Sequence, residues 1–367
     1  AALSVLDSAP SATLSEGGGW TESDMDGKLA VASIIRARRA FKGDSAVGGF
    51  YSDRSVLGSS MSSRLAGADL SLRLSDTLIL GTSAMGSHTT LADDSTLTGP
   101  AGTLNLAHQS RDWRASVAST YISPGFRAEN GFITFSDRIG LEGEVTRMLY
   151  PATSAIPRIS VNLVQADYGL TSTGQLRDHT LGPEVEIEFN NGIEIEANIE
   201  QWGELYEGRD LDGLRYGLST DGALSDSIGY GLEFGGGDGV YYDESDPVVG
   251  DQLSAMSMFR LSPGKRVNMF QKIAWEQLTL EDELAYRGMV YRFNAELYLD
   301  RSTWLRLILD RSTFSEDNSI EGLFSWEKAP GQAAYIGGSI GSTGDWTTIT
   351  EPTEWQVFTK VAWAFGT

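Results

Sequence analysis

Glu184-Val185-Glu186-Ile187-Glu188-Phe189-Asn190-Asn191-Gly192-Ile193-Glu194-Ile195-Glu196-Ala197-Asn198-Ile199-Glu200-Gln201 is the stretch that decides the fold. Side chains on a strand point alternately to opposite faces. Val185, Ile187 and Phe189 therefore share one face, and Glu184, Glu186 and Glu188 share the other. Asn190-Asn191-Gly192 suits a tight turn, because Asn and Gly tolerate positive φ. The return leg sets Ile193, Ile195, Ala197 and Ile199 against Glu194, Glu196, Asn198 and Glu200. This is a hairpin with one oily face and one face of carboxylates. Two settings fit it. One is a soluble sheet with its oily side on a core. The other is a pair of staves in an outer-membrane barrel, oily side to lipid and acidic side to a watery lumen.

The rest of the chain favours the barrel. Two-residue alternation dominates it, and hardly any stretch keeps a helical period. Ala68, Leu70, Leu72 and Leu74 share a face opposite Asp69, Ser71 and Arg73. The spacing predicts about 20 strands, an even count that puts both ends at the periplasmic rim. Tight turns at Lys42, Ser110, Asn190, Ser225, Pro263 and Pro330 interleave with long loops expected at 8–27, 207–213, 235–251 and 341–353. Short turns on one rim and long loops on the other are the outer-membrane pattern. The expected fold is thus an all-β, antiparallel transmembrane β-barrel forming a single domain over residues 1–367. A soluble β-sandwich or propeller is the alternative.

Composition bounds the function. The 367 residues carry 50 Asp plus Glu against 28 Lys plus Arg, a formal charge of -22, which repels phosphates and argues against nucleic acid. There is no cysteine, so neither a disulfide frame nor a thiolate metal site forms. No apolar run approaches the roughly 18 residues of a membrane-spanning helix. Barrel strands need only about ten residues each, every second one apolar. Ala1-Ala2-Leu3-Ser4 has no basic leader region.

The last strand repeats the pattern. Trp355, Val357, Thr359, Val361, Trp363 and Phe365 share a face, with Gln356, Lys360, Ala362 and Ala364 on the other. A terminal amphipathic strand near an aromatic end resembles the signal read by the barrel-assembly machinery, so Glu354–Phe365 is the expected contact with it. The expected lipid face comprises Val185, Ile187, Ile193, Ile195, Trp355, Val357, Val361, Trp363 and Phe365. The expected lumen lining comprises Glu184, Glu186, Glu188, Glu194, Glu196, Glu200, Arg292 and Lys360, with Arg36, Arg38, Arg73, Arg266 and Lys272 facing the same space. Trp20, Trp113, Trp202, Trp304, Trp355 and Trp363 sit near strand ends, where an interfacial girdle would put them.

Enzymatic signals are missing. His88, His108 and His179 have no metal spacing, and no serine sits in a nucleophile elbow. The acidic stretches Glu207–Asp212 and Asp243–Asp246 do not fit the twelve-residue calcium loop. Gly235-Gly236-Gly237-Asp238-Gly239 lacks the Lys-Ser/Thr of a phosphate cradle. No cofactor and no enzymatic activity are expected.

Several segments resemble a family of bacterial outer-membrane proteins of unknown function. They are Arg36-Ala37-Arg38-Arg39 with Ser45-Ala46-Val47-Gly48, Gly67 to Leu74, Tyr121 to Phe126 with Asn130-Gly131-Phe132, Phe324 to Glu327 with Pro330-Gly331, and Phe358 to Phe365. Such proteins often carry a module resembling family-nine carbohydrate-binding domains ahead of a large barrel. The resemblance implies that this chain is a C-terminal portion. Its barrel would be closed by further upstream staves or by Ala1–Asp7 pairing with Glu354–Phe365. It also implies a bacterial outer-membrane location, with the lipid bilayer, lipopolysaccharide and a protein of a larger complex as partners. A channel or transporter for small solutes is the expected function, with carbohydrates the class that the module of the resembling family implies. A barrel plugged by loops such as Ser123–Phe135, acting as an anchor, is the alternative.

Overall fold

The computed structural model describes residues 2–7, 20–130, 136–243, 246–329, 332–345, 347 and 352–363. Among the described residues twenty strands form one antiparallel sheet, and strands adjacent in sequence pair with each other. The chain divides into two compact units. The first takes in the chain through Met148 with Val161–Pro183 and Trp202–Asp210. The second takes in Leu149–Ser160, Glu184–Gln201 and everything from Leu211 onward.

The first unit contains β1 (Ala2–Asp7), β2 (Ala30–Phe41), β3 (Ser45–Val56), β4 (Ser62–Arg73), β5 (Leu78–Thr90), β6 (Thr96–Gln109), β7 (Trp113–Ile122) and nearly all of β8 (Arg138–Leu149). Strands β9 (Arg158–Leu170), β10 (Leu176–Glu188) and β11 (Glu194–Tyr206) run through both units. The second unit also holds most of β12 (Arg209–Ser225), then β13 (Ile228–Tyr241), β14 (Val248–Leu261), β15 (Val267–Leu280), β16 (Glu283–Tyr298), β17 (Thr303–Ser312), β18 (Asp317–Ala329), β19 (Gln332–Thr343) and β20 (Glu354–Trp363).

Directly opposed residues of an antiparallel pair share a face, so the registers carry each face from strand to strand. In the first unit, Val47 opposes Leu70, Leu106 opposes Val117, and Tyr121 opposes Ile139. On the other face Arg54, Ser63 and Thr89 form one row, and Asp69, Ser83, Thr103 and Thr120 form another. In the second unit Phe293, Leu309, Ile320, Ile340 and Trp355 line up on the apolar face. Arg292, Asp310 and Ser319 line up on the polar face. The apolar face is bare: Leu218 is 51% exposed, Phe234 55% and Ile336 53%. Burying large apolar side chains is the dominant drive in folding, so a sheet that leaves them bare needs an apolar medium outside it.

The first unit also packs a small core. Trp20, Met25, Ala30, Val56 and Met61 are buried together, with Leu91 against them. The one-turn helix α1 (Glu22–Met25) delivers Met25. Thr21 and Asp24 cap it reciprocally, each backbone N–H meeting the other's side-chain oxygen. The Thr21 contacts hold the Asp24 carboxyl below its usual range.

Three expectations are corrected. Residues 207–213 are mostly strand, leaving a two-residue turn at Glu207-Gly208 where both residues take positive φ. Most of 235–251 is strand too, because β13 reaches Tyr241 and β14 starts at Val248. Glycine lacks strand propensity, but the Tyr216 ring covers Gly236 from the neighbouring strand, and Gly235 to Gly237 keep their register with Gln252 to Ser254. Ala92 to Gly102, which the sequence alone also reads as loop, is not loop throughout, since β6 begins at Thr96. The tryptophan girdle is also only partial. Trp20 and Trp202 are each 3% exposed, while Trp113 at 41% and Trp355 at 73% stand on the apolar face.

Candidate pore lining and inward-folded loop

The founding hairpin turns as its residues dictate. The Phe189 N–H donates to the Ile193 carbonyl at 2.8 Å, and Gly192 takes φ 77. The turn brings Glu186 and Glu188 of β10 beside Glu194 of β11, with one carboxylate oxygen of each within 4.8 Å of the others. Three carboxylates that close repel strongly in a half-buried site. Arg158, at the start of β9, answers them. Its guanidinium donates to Glu186 at 2.6 Å and lies 3.2 Å from Glu188. The cluster keeps an excess of negative charge on the polar face. Glu184, Glu196 and Glu200 alternate in phase with it and are half-buried. Val185 is 36% exposed, and Ile187, Ile193 and Ile195 are half-buried in the opposite phase.

The other expected residues fall as follows. Arg292 lies 3.5 Å from Asp310. Lys360 reaches the Tyr335 ring at 6.0 Å. Val357 at 67% and Val361 at 70% join Trp355 among the most exposed apolar side chains. The Trp363 side chain and Phe365 lie outside the described residues, as do Gly131, Phe132, Pro330 and Gly331. Arg36 and Arg38 take the polar phase of β2, and Arg36 pairs with Asp69 at 2.7 Å. In the same unit Arg138 holds Asp178 at 2.7 Å and Asp167 at 3.2 Å.

Two features were not visible in the linear sequence. The first is the seat of the long β7–β8 connection. Its described part, Ser123–Asn130, folds onto the polar face of β3, β5 and β6. The Arg127 N–H donates to Ser87 Oγ at 2.9 Å. Asn130 donates to Ser52 Oγ at 2.7 Å and to the Asp53 carbonyl at 3.0 Å. Arg54 donates to the Glu129 carbonyl at 2.8 Å and lies 5.6 Å from the centre of the Trp20 ring. Gly99 and Gly125 permit this close approach. A Cβ at Gly99 would strike Ser123 Oγ, and one at Gly125 would strike the Thr98 carbonyl. Phe126, Arg127 and Glu129 are buried as a result. The second feature is a row on the polar face of the second unit, in which Tyr298, Trp304, Ser325, Tyr335 and Lys360 oppose one another in turn. Tyr298 donates to Glu296 at 2.9 Å and Tyr335 to Glu327 at 2.7 Å.

No known protein family and no curated protein matches this sequence. Solved structures do match. The ferric enterobactin receptor PfeA, in complex with BCV-L6, aligns over 94% of this chain and 68% of its own at a TM-score of 0.60, with 8% identity. Its R480A mutant from Pseudomonas aeruginosa, in complex with enterobactin, aligns over the same shares at 0.60 with 7% identity. The siderophore receptor PirA from Acinetobacter baumannii aligns over 98% of this chain and 72% of its own at 0.56, with 8% identity. At these identities the likeness concerns architecture alone. The chain has the fold of an outer-membrane β-barrel, whose setting is the bacterial outer membrane.

Proposed function

We propose that the chain is an integral, single-domain barrel of the bacterial outer membrane that passes small polar solutes. The observation carrying this is the pairing, in each unit, of a bare apolar face with a polar face bearing charge clusters. Such a polar face needs water, and barrels of about 16 or more strands have room for it inside. Sugars are the favoured solute class. The Tyr298, Trp304, Tyr335 row offers flat rings flanked by Glu296, Glu327 and Lys360, which suits a ring with hydroxyls at its edge. β20 is proposed as the segment that the assembly machinery reads, and lipopolysaccharide as the outer-leaflet neighbour.

Purified protein in planar bilayers tests the proposal. Discrete ion currents with cation preference are expected. Changing Glu186, Glu188, Glu194 and Glu196 together to Gln removes charge from the lining, so the reversal potential should move toward zero selectivity. An unchanged reversal potential rejects their role. The second reading, a plugged anchor for a periplasmic or surface partner, draws on the inward seat of Ser123–Asn130. A folded barrel without current favours it.

A further inference from the structure

One row of the polar face in the second unit has an unusual charge pattern. Five registers place Asp221, Gly231, Met258, Lys272, Arg292 and Asp310 side by side on consecutive strands from β12 to β17. Lys272 and Arg292 stand directly opposite each other on β15 and β16. Like charges in that position destabilise a sheet. Arg292 has Asp310 at 3.5 Å as a partial counter-charge. Lys272 has no ion pair among the described residues, and neither does Arg260, which stands two residues beyond Met258 in the same phase. On the other side the row offers only Gly231 and the Met258 thioether before the carboxylate of Asp221. That carboxylate is three strands from Lys272, roughly 14 Å away at ordinary strand spacing. Elsewhere on the polar face Arg36, Arg138 and Arg158 each hold one or two carboxylates at 2.6 to 3.2 Å. In a chain with 50 acidic and 28 basic residues, Lys272 and Arg260 standing without an ion pair beside Arg292, which has one, are a departure that calls for a cause.

We propose that Arg260, Lys272 and Arg292 form a subsite for an oxyanion, the carboxylate or phosphate of a solute crossing the barrel. The inference rests on the solute-passing role proposed above. Arg292 supplies a planar fork for two oxygens and Lys272 a compact charge beside it, which together suit a tetrahedral or planar oxyanion. The bound group would relieve the Lys272–Arg292 repulsion. The acids around Glu194 and Asp221 would meanwhile discourage anions from binding elsewhere along the row.

The test uses the full chain in detergent micelles and in bilayers. Inorganic phosphate should show saturable line broadening in its phosphorus NMR spectrum with wild-type protein. K272Q/R292Q should weaken that binding at least about tenfold, as expected for losing two charge-assisted contacts. Lys272→Arg, which keeps the charge, should retain most of it, and so should E186Q/E188Q. In bilayers, glucuronate should interrupt the current while glucose at equal concentration should not, and K272Q/R292Q should abolish the difference. Absence of saturable phosphate binding together with absence of glucuronate block overturns the subsite. So does equal binding by a folded K272Q/R292Q variant. Phosphate binding without any current supports the subsite and rejects the pore. Glucuronate block without phosphate binding assigns the subsite to carboxylates.

Discussion

Arg54→Ala is expected to free the inward-folded segment Ser123–Asn130 while leaving the strands paired. Arg54 is 8% exposed and holds three neighbours of its unit. It donates to the Glu129 carbonyl at 2.8 Å, lies against the Trp20 ring at 5.6 Å, and comes within 3.9 Å of Asp7. A hydrogen bond from a charged group contributes about 1.5–3 kcal/mol, and a cation over an indole adds on the order of 1 kcal/mol. Neither contact belongs to the backbone ladder between strands. The loss therefore falls on the loop and on the Trp20 contact. Amide exchange across Ser123–Asn130 should accelerate by one to two orders of magnitude, corresponding to about 1.4–2.8 kcal/mol. Exchange in β3 to β6 should hardly change. If the segment narrows the lumen, open-channel conductance rises in the same variant. Lys at this position keeps a charge but not the fork, so Arg54→Lys should fall between. Unchanged protection of Ser123–Asn130 in Arg54→Ala would show that Ser52, Asp53 and Ser87 hold the loop by themselves.

Arg158→Ala carries the second large effect. Arg158 is the cation within reach of Glu186 and Glu188, whose oxygens crowd against Glu194. Removing it leaves three neighbouring carboxylates on a half-buried wall. Breaking a fully buried pair costs about 3–5 kcal/mol, but these side chains keep 26–35% of their surface in solvent, so roughly 2 kcal/mol is the expected loss. Low salt should deepen the loss and high salt should shrink it. In a Glu186→Gln/Glu188→Gln background the same Arg158→Ala change should cost little, because the charges it balances are gone. A double-mutant cycle on urea unfolding in detergent measures this coupling. Additive losses across the cycle would mean that Arg158 acts through packing rather than charge.

How far the sequence could be read follows from the range of the interactions. Faces are local. The alternation in Glu184–Gln201 and the Asn190-Asn191-Gly192 turn lie within a few residues of their cause, and β10 and β11 meet at that turn. The glycine run at 235–239 read as loop because the ring that shields Gly236 comes from Tyr216, on another strand. The Arg158 cluster was half visible. Its acids stood out by phase, while the arginine that balances them lies 28 residues from Glu186. The Arg54 contact to Glu129 spans 75 residues and leaves no periodic trace. The aromatic row and the Lys272–Arg292 pair emerge only once the registers are fixed, since neighbours across a sheet share no sequence spacing.

The most direct measurement uses the absence of native cysteine. Single cysteines placed at each position of β17 from Leu305 to Asp310 can be spin-labelled in liposomes. Collisions with oxygen, which dissolves in lipid, are compared with collisions with a water-soluble nickel chelate. Leu305, Leu307 and Leu309 should favour oxygen, and Arg306, Ile308 and Asp310 the chelate, with a period of two. Equal chelate access at all six positions would contradict a sheet that stands between lipid and water.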